Sequence, residues 1–118
     1  MAKILAVDDS EPMRQIVQQT LIRGDHDVEL ATDGTDGLRK FSRDAYDLII
    51  TDINMPVLDG FGLVRGIREQ NKHIPILALT TEGEQDQRRA GEQAGVDGWI
   101  VKPFKPAQFL AIIKQVLS

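Results

Sequence analysis

Residues 3–22 read KILAVDDSEPMRQIVQQTLI, and the fold turns on this stretch. Lys3 to Val7 is a short, nearly continuous apolar run. A strand with one wet face would alternate, so this one is expected to be buried on both faces. Asp8, Asp9 and Ser10 interrupt it. Met13, Ile16, Val17 and Leu21 then recur at helical spacing, with Ser10 or Asp9 as N-cap and Pro12 in the first turn, where a missing N–H is tolerated. Strand, polar turn and amphipathic helix make one βα unit.

The unit recurs along the chain. Val28, Leu30 and Ala31 suggest a second strand, and Leu38 with Phe41 a second helix after the Thr32-Asp33-Gly34 turn. Leu48 to Ile50 is strand three; Leu63, Val64 and Ile67 mark a helix opened near Asp59-Gly60. Ile76 to Leu79 is strand four, with Pro75 at its entry, where a lost donor costs least. Gly98 to Val101 is strand five, and Phe109, Ile112, Ile113 and Val116 form a last helix begun by Pro106. Five such units imply an α/β fold of three layers, a doubly wound parallel sheet between helices. Right-handed crossovers leave few topologies, and the flavodoxin-like (βα)5 order 2-1-3-4-5 is the common one at this size. The fourth helical segment, Glu82 to Ala94, differs from the rest: only Ala90 and Ala94 are apolar, and Gly91 costs about 1 kcal/mol relative to alanine. It reads either as a solvated surface helix or as an element able to shift.

Length and composition narrow the class. At 118 residues the chain is expected to be one domain, 1–118, with no output domain after its last helix. Its 42% apolar content fits a globular protein, and its net charge of -4 argues against nonspecific nucleic-acid binding. The absence of cysteine removes disulfides, thiol nucleophiles and thiolate metal sites. No run approaches the roughly 18 apolar residues of a membrane span. The strand pattern starts at once, leaving no signal peptide. The expected location is the cytoplasm, with no membrane or nucleic-acid partner.

Four fragments carry the chemistry. Asp8-Asp9 follow KILAV, Asp52 follows DLII and Thr51, Thr80 follows ILAL, and Lys102 follows GWIV. A parallel sheet gathers the carboxyl ends of its strands at one edge, where ligands bind. Strands one and three are neighbours in the order above, so Asp8-Asp9 should lie beside Asp52. Taken alone, Asp8 and Asp9 could simply cap a helix. With Asp52 they form a cluster of like charges that a hard cation such as Mg²⁺ would relieve through oxygen ligation. A carboxylate can also attack phosphorus to give an acyl phosphate, which makes Asp52 the expected nucleophile. Lys102 supplies a compact charge for a phosphoryl oxygen, and the Lys102-Pro103 bond offers a cis geometry that could fix where it points. Thr80 can donate its hydroxyl to a phosphoryl oxygen, or cap the following helix. Alternation puts Trp99 on the face opposite Lys102, as a core residue or as a side chain that senses Thr80. His26 and His73 read as exposed. DGTDG and DGFG lack the spacing of a phosphate-cradling loop, so nucleotide binding is not supported.

Together VDDS (7–10), TDINMPVLDG (51–60), LTTEGE (79–84) and GWIVKPF (98–104) resemble the receiver domain of two-component response regulators, across essentially the whole chain. With no output domain, Asn54 two after the aspartate and Glu82 two after the threonine, the chain looks most like the single-domain, CheY-like chemotaxis regulators. The resemblance implies a monomeric signalling protein that catalyses its own phosphorylation and dephosphorylation. Asp52 would accept a phosphoryl group from the phosphohistidine of a CheA-type histidine kinase. Asp8, Asp9, Asp52 and the backbone carbonyl of Asn54 would hold Mg²⁺, with Mn²⁺ as a substitute. Lys102 would bind the phosphoryl group, and Thr80 and Trp99 would be the switch pair. Asn54, Thr81 and Glu82 fall where the family tunes dephosphorylation.

The resemblance also implies a target face built from the fourth helical segment, strand five and the last helix; here it would carry Arg88, Arg89 and Trp99. The target could be the flagellar motor switch, or the protein could drain a shared kinase as a phosphate sink. Thr81 and Trp99 depart from the family pattern, which has a small residue and a tyrosine or phenylalanine there. Two rivals share part of this description. An aspartate-nucleophile phosphatase of the haloacid-dehalogenase type carries DxDx[TV] after strand one, where this chain has DDS. A flavodoxin needs a phosphate-cradling loop and flanking aromatics.

Overall fold

The computed structural model describes residues 2–53, 55, 58–81 (backbone alone at Thr81) and 94–118. Asn54, Glu82, Arg88 and Arg89, the rest of segment 82–93 and the Thr81 side chain lie outside the described residues. Five strands, β1 (Lys3–Val7), β2 (Asp27–Ala31), β3 (Leu48–Asp52), β4 (Ile76–Thr81) and β5 (Gly98–Lys102), form one parallel sheet in the order β2-β1-β3-β4-β5. Among the described residues there are four helices: α1 (Glu11–Arg23), α2 (Gly34–Arg43), α3 (Gly60–Gln70) and a C-terminal helix (Pro106–Leu117). This is the three-layer, flavodoxin-like arrangement that the repeated βα pattern predicts.

Strand alternation divides the core in two. Leu5, Val7, Ile49, Ile76 and Ala78 pack on one face with Phe41 of α2 and Leu63, Val64 and Ile67 of α3. Ile4, Ala6, Leu48, Ile50, Leu77 and Leu79 pack on the other with Val17 and Leu21 of α1 and Phe109 and Ile113 of the C-terminal helix. Ile4, Leu5, Ile49 and Ile50 are wholly buried, each contributing roughly 1.5–3 kcal/mol relative to an exposed side chain. That is why β1 and β3 read as unbroken apolar runs.

Side-chain caps fix three helix starts. Ser10 Oγ accepts from Met13 N, and the Asp33 and Asp59 carboxylates accept from Asp36 N and Gly62 N. Ser10, not Asp9, is therefore the cap of α1. Two other expectations need correction. Ile16 is 48% exposed, because the buried stripe of α1 runs through Val17, Thr20 and Leu21. His26 is half-buried: Asp27 N donates to Ala2 O, drawing His26 alongside Ala2, whose amide donates to His26 Nδ1. His73 is exposed, as expected.

Candidate functional site

The predicted strands stop short of the real ones. β3 runs on through Asp52, β4 through Thr81 and β5 through Lys102. Polar residues there read locally as turn, yet the ladder continues because neighbouring backbones still pair: Asp52 lies opposite Leu79, Thr80 opposite Val101, and Thr81 opposite Lys102. Asp52 and Lys102 are thus the final rungs of their strands rather than loop residues. A strand holds a side chain more rigidly than a loop does, which suits a site that must meet a substrate in one geometry.

At the same edge, Asp8 N extends the ladder by donating to Ala31 O at 3.2 Å. Asp8 is 3% exposed and Asp52 6%, while Asp9 faces solvent. One carboxylate oxygen from each of the three lies within 4.8 Å of the others. Asp52 Oδ1 accepts from the Ile53 amide at 2.9 Å, and the Thr51 hydroxyl donates to Asp52 O at 2.8 Å. Lys102 Nζ reaches in to 3.3 Å from Asp52 Oδ1 and 3.7 Å from Asp8 Oδ2. Asp8 Oδ1 accepts from Ser10 N at 2.9 Å, but buried Oδ2 has no hydrogen-bond partner. Burial, above all, raises the Asp8 carboxyl above its ordinary value; the Ser10 amide opposes this, Asp52 adds to it, Lys102 opposes it and Asp9 adds again.

An orphaned buried carboxylate oxygen beside two further carboxylates is a donor set that fits a hard divalent cation. The Lys102 ammonium beside them offers charge and a donor to a phosphoryl oxygen. α3 starts against the backbone of Asp52: a Cβ on Gly60 would sit 2.3 Å from the Asp52 carbonyl oxygen, so only glycine lets the helix start that near. The Asp59-Gly60 pair was legible as a helix start; its approach to Asp52 was not.

Thr80 is 2% exposed and lies two residues beyond Ala78, hence on the same face of β4. Trp99 packs half-buried against the cluster on that face, which also takes Ala94. Alternation therefore puts Trp99 and Lys102 on opposite faces, as the sequence suggests. The Lys102-Pro103 peptide is cis.

The sequence pattern of the response regulator receiver domain matches residues 4–114. The chain is 37% identical over 98% of its length to the alkaline phosphatase synthesis transcriptional regulatory protein PhoP of Bacillus subtilis, of which it covers 48%. It spans about half the length of that relative and of several like it. Its fold superposes on the chemotaxis protein CheY4 of Vibrio cholerae with a TM-score of 0.94, at 45% identity over 99% of both chains. It also superposes on the receiver domain of the Pseudomonas aeruginosa sensor histidine kinase PA1611, a structure with a magnesium ion coordinated in the active site cleft. There the TM-score is 0.91, at 34% identity over 98% of this chain and 97% of that one.

Proposed function

The chain belongs to the response regulator receiver domain family, and from that premise we propose that it accepts a phosphoryl group on Asp52 from the phosphohistidine of a CheA-type histidine kinase. The observation that carries this reading is the Lys102 ammonium 3.3 Å from Asp52 Oδ1, beside a cluster of three carboxylates. In the transfer an Asp52 oxygen attacks phosphorus, the bond to the imidazole nitrogen breaks with its electron pair left on nitrogen, and an acyl phosphate forms. Lys102 takes up a phosphoryl oxygen as charge arrives beside it, and Thr80 donates its hydroxyl to another. Asp8, Asp9, Asp52 and the Asn54 carbonyl would hold Mg²⁺ or Mn²⁺, which would screen the incoming charge and the repulsion among the acids. Hydrolysis reverses the state: water attacks phosphorus, the carboxylate is regenerated and inorganic phosphate leaves. Asn54, Thr81 and Glu82 set its rate.

Thr80 and Trp99 share one face of the sheet, which supports their reading as a switch pair. The target would dock on segment 82–94, β5 and the C-terminal helix, with Arg88, Arg89 and Trp99 among the contacts. The 45% identity with a chemotaxis protein over 99% of both chains supports a chemotaxis role with the flagellar motor switch as target. A phosphate sink on the same kinase is the alternative.

Trp99, the sole tryptophan, makes the test direct. Addition of Mg²⁺ and then a small acyl phosphate should change its fluorescence and add one phosphoryl group to the mass, and Asp52→Asn should abolish both. A response that survives Asp52→Asn, or turnover of a phosphate ester without a lasting phosphoprotein, would refute the reading.

A further inference from the structure

Arg14 lies one turn into α1, where the positive end of the helix disfavours a cation. It is half-buried, and its guanidinium turns back onto the loop before the helix: Nη1 donates to the main-chain carbonyl oxygen of Asp8 at 2.7 Å. The other groups of Asp8 are held as well. Its amide donates to Ala31 O and its Oδ1 accepts from Ser10 N, so Oδ2 alone points without a hydrogen-bond partner into the site. Asp9 is held quite differently. It is exposed, and among the described residues its carboxylate accepts no hydrogen bond, yet one of its oxygens lies within 4.8 Å of Asp8 and Asp52. The peptide from which Asp9 projects is the one whose oxygen Arg14 grips.

We propose that Arg14 is a positioning residue of the acid cluster: by clamping the Asp8 carbonyl it orients the Asp8–Asp9 peptide and so presents Asp9 to the cation. This rests on the reading of the cluster as a Mg²⁺ site. The direction of the effect separates the clamp from simple electrostatics. Arg14 places a positive charge near a site for a divalent cation, so by Coulomb's law its removal should tighten binding. Loss of a clamp should weaken it, by about 10–100-fold for a group that orients a metal ligand.

The experiment is calorimetric titration of Mg²⁺ into wild-type, Arg14→Met and Arg14→Lys proteins, with thermal unfolding of each in the metal-free state. Arg14→Met keeps most of the aliphatic stem and loses the donors; its Mg²⁺ affinity should fall about tenfold or more while it remains folded. Arg14→Lys keeps the charge and a donor and should recover part of the loss. Unchanged or tighter Mg²⁺ binding by folded Arg14→Met overturns the clamp. Should Arg14→Met not fold, Arg14→Gln, too short to reach the carbonyl, is read by the same two outcomes. A wild-type protein that takes up no Mg²⁺ overturns the metal reading itself, and the clamp with it.

Discussion

Asp8 concentrates the conflict within the site. Its carboxylate is taken out of water beside Asp52 and Asp9, and burial more than any other influence raises its affinity for a proton. An acid whose value is raised on folding binds more protons folded than unfolded. Stability therefore falls as pH climbs from the ordinary carboxylate range through the raised value, and stays low at neutrality. Metal-free Asp8→Asn should be more stable than wild type at neutral pH by about 0.5–2 kcal/mol. The advantage should fade in acid, where Asp8 is protonated. Urea unfolding with chelator at the two pH values checks this, and equal midpoints at neutral pH would refute it. Thr81 belongs at this scale too. On the proposed reading of Asp52 as phosphoacceptor, a residue bulkier than usual after Thr80 should hinder attacking water, so Thr81→Ala should lose its phosphoryl group several times faster. Decay of the labelled phosphoprotein measures this, and equal rates would end the idea.

Among the elements, α1 shows how far pattern reading goes. Its start was legible to within a residue because capping is local: Ser10, one of the two cap candidates, and Pro12 sit where a helix N-terminus wants them. Its buried face was only partly legible. Ile16 and Val17 are adjacent, and spacing alone admits both to the apolar stripe, whereas packing against the sheet buries Val17, Thr20 and Leu21. Leu21→Ala should accordingly cost about 2–5 kcal/mol, and Ile16→Ala less than about 1 kcal/mol. Denaturant midpoints decide it; similar costs would mean that α1 packs otherwise. Strand ends failed for a related reason. Thr51-Asp52, Thr80-Thr81 and Lys102 read locally as polar turn, and whether a strand continues depends on the backbone beside it.

For the whole molecule, the decisive feature is that a two-sided apolar core fixes an edge at which the Asp8 and Asp52 carboxylates are buried side by side. Lys102 stands against two buried carboxylates and neutralises them incompletely. Mg²⁺ should therefore stabilise the protein as a ligand of the folded state, by about 2.7 kcal/mol at a hundredfold excess over its dissociation constant. Thermal unfolding with and without Mg²⁺ should show the gain in wild type and not in Asp52→Asn. A gain of equal size in both would place the ion elsewhere. The alternation of apolar runs with helical patterns was enough for the fold class, the five strands and the appearance of Asp8, Asp9, Asp52, Thr80 and Lys102 at strand ends, since these depend on residues near one another in the chain. Packing settled the rest: the last rungs of β3, β4 and β5, the approach of Gly60 to Asp52, the orphaned oxygen of Asp8 and the grip of Arg14 on its carbonyl. Each of these is a distance between groups on different elements, or a burial set by several of them, and local pattern carries no information about either.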